Sequence, residues 1–375
     1  RPPPRAPPHP ATPPRPPHDI DPPPPPPART GATPGRGIST LHDLTPHRPL
    51  NTETLASKVA LLPSRDAVMT LNASTFGFPG QDEFVGRNPP EAASIVYYLA
   101  RRHIYGDLKV EILGDDGEVL ATVPGGKLKG INRVDWPMRL PAPDMPPATA
   151  LAPAFLGPRV PEGTYRFRVT KGKETLEGSV RLVPDPRSSH TAEDRALQQT
   201  TALELYDMLT RLTYVVDATI DLRDRAGDRR DAPGTKSRVA TRLDELIDEL
   251  DAFRSSLVST SDAGMLSGDA KLRENLAAVY NAVVGYDGRP TGSQIGRTGA
   301  LRGELEDAEA TFARLVAPER LDRLNRALES AGQEPLRALT REAWDADRDG
   351  GGSAASAELS ARDLRALVRQ ALALR

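Results

Sequence analysis

In short runs after residue 88, large apolar residues alternate with polar ones; beyond residue 190 they recur at steps of three and four. The first spacing puts side chains on one face of a strand, and the second puts them on one face of a helix. In DLKVEILGDDGEVLATV, Leu108, Val110 and Ile112 share a strand face, Asp116-Gly117 supplies a tight turn, and Val119 opens the return strand. In EGTYRFRVTKGKETLEGSVRLV, Tyr165, Phe167 and Val169 alternate with Thr164, Arg166 and Arg168, and a Lys171-Gly172 turn leads to Leu176, Val180 and Leu182. SIVYYL (94–99) and NRVDW (132–136) add further strands. This density of short strands predicts an immunoglobulin-like sandwich with Trp136 and Tyr165 in its core. The insert LPAPDMPPATALAPAFLGPRVP (140–161) is too long for a hairpin turn and too proline-rich for a central strand, so it is expected to pass over a sheet edge.

After PDPR (184–187) the period lengthens. Thr191 and Asp194, three apart, form a capping-box pattern that predicts a helix start. The stripe Leu205, Met208, Leu209, Leu212, Val215, Val216 and Ile220 follows. Beyond the break GDRRDAPG (227–234), Val239, Leu243, Leu246, Leu250, Phe253 and Leu257 alternate steps of four and three, as in helices packed nearly antiparallel. Stripes at Leu272, Leu276, Val279, Val283 and at Leu301, Leu305, Phe312, Leu315 complete the ingredients of a bundle. Shorter helices are expected over 321–328 and 359–372.

Composition changes the picture at the ends. The lead RPPPRAPPHP and the run of prolines at 22–27 lack the apolar side chains to build a core, and predict an extended or disordered segment. The chain has 375 residues, enough for two or three domains. With 49 basic and 51 acidic residues, its net charge of −2 creates no global attraction for nucleic acid or an anionic membrane. It has no cysteine, which excludes disulfides, thiolate metal sites and a cysteine nucleophile. No apolar run approaches the ~20 residues needed to span a bilayer, and no basic-then-apolar signal pattern opens the chain. Membrane insertion and nucleic-acid binding are therefore not expected.

Few motifs carry chemistry. Gly35-Arg36-Gly37 lacks the helix that an anion-binding loop requires, and reads as a strand-end turn. TGSQIGRTG (291–299) fits neither a P-loop nor a nucleophile elbow, and reads as an inter-helix loop. In DADRDGGGSAAS (345–356), Asp345, Asp347 and Asp349 occupy the first, third and fifth places of a calcium loop, with Gly350 at the sixth. Ser356 replaces the usual bidentate glutamate, so calcium is a candidate ligand of an incomplete motif. The six histidines are scattered, and the carboxylates of DELIDELD (244–251) read as a solvated helix face. No catalytic residue is assigned, and no cofactor beyond that calcium candidate.

The order of GRGISTLHDLTPHRPL (35–50), ASKVALLPSRDA (56–67), the strands of 88–170 and the helices opening PDPRSSHTAEDRALQQ resembles the C-terminal region of bacterial BNR-repeat, sortilin-like β-propeller proteins, often labelled glycosyl hydrolases or exo-sialidase-like. The stretch LRENLAAVYNAVVGYDGRPTGSQ (272–294) fits the same tail. The propeller itself is missing, and no Asp-box occurs: TSDAGMLS (260–267) has Ser267 where the tryptophan should be. The resemblance implies an α+β multidomain fold: a disordered proline-rich segment (1–34), a remnant of the last propeller blade plus linker (35–87), an immunoglobulin-like (FlgD-type) β-sandwich (88–186), an antiparallel α-helical bundle (187–344), and an acidic-glycine linker with a terminal helix (345–375). It also implies an extracellular or periplasmic location and a non-catalytic accessory role, with the propeller of a parent protein or another protein as partner. A divergent sialidase-like glycoside hydrolase and a helical adaptor, pairing through the stripe at 239–257, are the alternatives.

Overall fold

The computed structural model describes residues 29–32, 38–41, 43–70, 91–114, 116–148, 154, 156–260 and 270–350. The proline lead up to residue 28, the Gly35-Arg36-Gly37 turn, most of TSDAGMLS, the calcium motif after Gly350 and the helix expected over 359–372 lie outside the described residues. Inside them the architecture is mixed α and β.

A small antiparallel pair, β1 (Arg29–Ala32) and β2 (Ile38–Leu41), comes first. A short helix, α1 (Thr52–Ala56), then leads into eight strands: β3 (Val59–Leu62), β4 (Ala67–Met69), β5 (Ala93–Leu99), β6 (Leu108–Leu113), β7 (Val119–Pro124), β8 (Gly130–Trp136), β9 (Gly163–Lys171) and β10 (Glu174–Pro184). They form a three-stranded sheet, β3-β5-β8, and a five-stranded sheet, β4-β10-β9-β6-β7. Both expected hairpins are present: β6 pairs with β7, and β9 pairs with β10 in a register that sets Tyr165 opposite Val180. Their turns use Gly117 and Gly172 in the left-handed region, which only glycine adopts without steric cost.

Three strands, β2, β3 and β4, lie where a blade remnant and linker were expected, and β1 lies inside the segment 1–34 expected to be disordered. β3 pairs antiparallel with β5, and β4 pairs parallel with β10 through Leu182 opposite Ala67. Runs of four and three residues are too short to carry a period, and a parallel partner distant in the chain leaves no local turn signal.

Six longer helices follow: α2 (Ala192–Asp231), α3 (Ser237–Leu257), α4 (Leu272–Val284), α5 (Gly292–Leu315), α6 (Pro318–Glu329) and α7 (Arg341–Gly350). The capping box at α2 forms as expected: the Asp194 amide donates to Thr191 Oγ1 at 3.1 Å, and the Thr191 amide donates to Asp194 Oδ2 at 3.0 Å. At 40 residues α2 is about 60 Å long and spans the molecule. Its buried threonines satisfy their own hydroxyls by donating one turn back, Thr210 to Tyr206 O at 3.0 Å and Thr213 to Leu209 O at 2.8 Å.

The apolar stripes read from the sequence face the core: most of their residues are buried, and Ile220, Val279 and Leu315 are half-buried against it. All six residues of the α3 stripe are buried inside the chain, so that stripe is not free for a partner. A single core joins Ile95, Val110 and Phe167 of the sheets to Leu205, Leu209 and Val216 of α2 and to Leu276 and Tyr280 of α4. A second cluster joins the far end of α2 to α3 and α6 through Leu222, Leu250 and Leu328. No described helix is long and apolar enough to cross a membrane.

Because the sheets and helices share one core, Leu209→Ala should destabilise both at once, by about 2–5 kcal/mol. Far-UV and near-UV circular dichroism should report one coincident transition at a lower Tm. Separate transitions for the two regions would contradict a shared core.

Candidate functional site

The most elaborate polar construction lies where the sheets meet the helices, and the proline-rich insert organises it. Its two stems are bridged at Arg139 and Arg159: the Leu140 amide donates to Pro158 O at 2.9 Å, and the Val160 amide donates to Met138 O at 3.0 Å. Met138 enters the insert with φ at 57°, a conformation costly for a residue with a side chain, yet its side chain is buried in the core. At the other stem a Cβ on Gly157 would stand 1.7 Å from the Leu140 carbonyl oxygen, so only glycine lets the stems close.

The insert does not pass over a sheet edge as expected. Its described residues pack against both the sheets and the helices, with Leu140, Ala154 and Val160 in the shared core. Proline lacks an amide hydrogen, so such a segment cannot build its own ladder, and its buried carbonyls need outside donors. The helices provide them. Arg273 Nε donates to Pro146 O at 2.7 Å and the Tyr280 hydroxyl to Leu156 O at 2.6 Å, while the Thr213 hydroxyl, shared with Leu209 O of its own helix, stands 3.1 Å from Asp144 O. Burial pushes the Tyr280 phenol well above its ordinary range, so it remains a donor at any physiological pH.

Beside this seam opens a cleft of about 190 Å³, lined among others by Arg159, Glu162, Asp185, Arg195 and Asp287. Arg159 is its hub. Only 8% exposed, its guanidinium pairs with Glu91, reaches Asp287 Oδ1 at 3.2 Å, and donates to Thr70 O at 2.9 Å. Burial lowers the Arg159 and Arg139 pKa values from the usual arginine value, and the negative charge of Asp287 opposes that shift in both. Nearby, Arg195 grips Glu162 with two nitrogens at 2.8 and 2.9 Å, and the buried Asp185 accepts from Arg187 at 2.7 Å. These contacts tie residues of the β4 edge, the insert, the entry to α2 and the α4–α5 connection to one another.

A second polar cluster fixes α7. Arg341 lies over the rings of Tyr214 and Trp344, at 5.3 and 4.6 Å from their centroids, and Arg348 covers Trp344 at 4.5 Å. Trp344 Nε1 donates to Asp217 Oδ2 at 3.0 Å, and Arg348 pairs with Asp144 of the insert. The calcium candidates Asp345, Asp347 and Asp349 fall within this helix. Helical geometry turns residues two apart by about 200°, so Asp345 and Asp347 diverge instead of converging on a cation. Asp345 accepts from Arg341 Nε at 2.9 Å. Among the described residues no group of three acidic or histidine side chains is placed to hold a metal ion.

TGSQIGRTG opens a helix where a loop was expected: Thr291 caps α5 by accepting from the Gln294 amide at 3.2 Å. The signal was local, a threonine and glutamine three apart. Arg159, Asp287 and Tyr280 had no such signal, because their partners lie far away in the chain. Of the acidic run 244–251, Asp244 and Asp251 reach Arg230 and Arg223 of α2 at 3.1 and 3.3 Å. No family model matches this sequence, and no curated protein matches it significantly.

Arg159→Met leaves Glu91 and Asp287 without their shared cation and should cost about 3–5 kcal/mol in denaturant unfolding. Arg159→Lys should recover only part of this, since a compact ammonium lacks the planar fork whose separate nitrogens reach Glu91, Asp287 and Thr70 O. A second expectation concerns Asp217, whose pKa burial raises from the ordinary 3.8, against the lowering effects of Trp344 and Arg348. A raised folded pKa adds stability below the unfolded value and loses it as pH rises through the folded one. Asp217→Asn should therefore match the native protein at acid pH and gain on it as pH rises above 3.8, when melting is followed across pH.

Proposed function

We propose that this chain is a non-catalytic accessory module, an immunoglobulin-like sandwich braced by a helical bundle, that stabilises or positions a β-propeller of the BNR-repeat, sortilin-like group outside the cytoplasm. The observation that carries this reading is the use made of charge at the seam. Arg159, Glu162, Arg195 and Asp287 surround the cleft, each held by an opposite charge from a different loop or helix, while Asp185 is held by Arg187 within its own loop. Such pairs fix geometry, and leaving one partner alone would be costly, so the arrangement suits a rigid joint. The order of pieces from GRGISTL onward supplies the link to a propeller.

The alternative, a divergent glycoside hydrolase, needs two carboxyls about 5–10 Å apart, one able to give a proton and the other to attack or activate water. Glu162 and Asp287 share the cleft but each holds an arginine, which makes them cohesive groups in this reading.

The purified chain, assayed with fluorogenic glycosides including sialosides, should give no turnover above the uncatalysed rate, while a BNR-type propeller supplied in trans should bind it in titration calorimetry. Hydrolysis that disappears in Glu162→Gln or Asp287→Asn would overturn this function in favour of the glycosidase.

A further inference from the structure

We propose that the end of the two sheets remote from the helices docks on an anionic phospholipid surface. α2 leaves from β10 beyond Pro184, while β9 and β10 turn at the opposite end, where Leu108 pairs with Lys171 and Leu99 with Gly130. Three connections therefore gather there: 100–107 between β5 and β6, 125–129 between β7 and β8, and the β9–β10 turn at 172–173. The first two are tied together, with the His103 amide donating to Lys127 O at 2.9 Å and Lys127 Nζ donating to Gly106 O at 3.0 Å.

Their exposed side chains are of two kinds. Ile104, Tyr105 and Leu128 project into solvent with 68, 87 and 65% of their surface exposed. On the same connections stand the exposed Arg101, Arg102, Lys129 and Lys173 and the half-buried Lys127 and Lys171. Asp107 and Glu174 are the carboxylates of these connections, and Glu174 is taken by Lys171 at 3.0 Å. Among the described residues no carboxylate lies within ion-pair distance of Arg101, Arg102, Lys129 or Lys173. The chain's net charge of −2 thus hides a positive end whose surplus the rest of the molecule balances.

Burial of apolar surface explains why most large side chains of this protein are inside; three exposed on two tied connections, beside four cations that face no described carboxylate, need another cover. A lipid interface suits both kinds of group at once. Tyrosine and aliphatic tips enter the headgroup boundary, while lysine and arginine stems lie along it and carry their charge to phosphate. A single-stranded nucleic acid would require a groove with successive aromatic platforms, and Tyr105 and the half-buried His103 are the aromatic rings on these connections. This docking is peripheral, needs no spanning helix, and does not rest on the accessory-module reading.

Flotation of the full chain with vesicles tests it. The chain should float with vesicles of phosphatidylcholine mixed with phosphatidylglycerol, not with phosphatidylcholine alone, and less at high salt. Arg101→Glu with Lys129→Glu should weaken the partition by about tenfold or more. Tyr105→Ala with Leu128→Ala should weaken it while leaving the salt dependence in place. All four positions lie on the loop surface, so an unchanged Tm checks that each variant is folded. Failure to float with anionic vesicles, equal flotation with both compositions, or binding untouched by these variants would overturn the proposal. Capture of poly-glutamate without vesicle binding would also overturn it, placing an acidic protein on this end.

Discussion

A proline-rich segment buried inside a protein leaves carbonyl oxygens that its own backbone cannot satisfy, and the arrangement of this molecule depends on where their donors come from. Here they come from Arg273 and Tyr280 on α4, with the Thr213 hydroxyl of α2 shared between the insert and its own helix. Each donor must be held at hydrogen-bond distance from a loop that belongs to the sheets. That requirement fixes how the helices sit against the strands, and each unmade bond would cost about 1–3 kcal/mol of desolvation. The closed stems of the insert serve the same end, since Met138 and Gly157 accept unusual backbone conditions to bring its two sides together.

Charge reinforces this seam in a way that surface ion pairs do not. Most arginine–carboxylate pairs here are well exposed and contribute little individually. Arg159 differs because it is removed from water and shared among groups from separate parts of the chain. Its partners are costly to leave alone, so the pairing specifies one arrangement of β4, the insert and the α4–α5 connection. The α7 clamp works similarly at the other side of the insert, where Arg348 connects the last described helix to Asp144. A joint secured from both sides gives a stiff body, which favours a positioning role over one that needs a moving lid. At the opposite end of the sheets Arg101, Arg102, Lys129 and Lys173 face no described carboxylate, and the contrast separates groups used for cohesion from groups left for an outside surface.

Legibility followed the range of the interactions. The α3 stripe, the β9–β10 hairpin and the α2 capping box were read directly, because each is set by residues a few positions apart. Thr291 and Gln294 carried an equally local signal that the glycines around them obscured. β3 and β4 were hidden because short edge strands have almost no period, and β4 depends on a parallel partner far along the chain. The aspartates at 345–349 matched a ligand spacing, yet the same residues sit in a helix stabilised by Arg341, Trp344 and Arg348 stacked against Tyr214.

The sequence by itself determined the two periods, the helix caps, the turns and the residues that must be buried, because those follow from local geometry and from the aversion of apolar side chains to water. Only the tertiary structure decided that the proline-rich insert packs against both sheets and helices, that Arg159 gathers Glu91 and Asp287, and that cations scattered from Arg101 to Lys173 share one end. Those outcomes rest on buried carbonyls and charges finding partners across long stretches of chain, and spacing along the chain does not encode which distant group arrives within 3 Å.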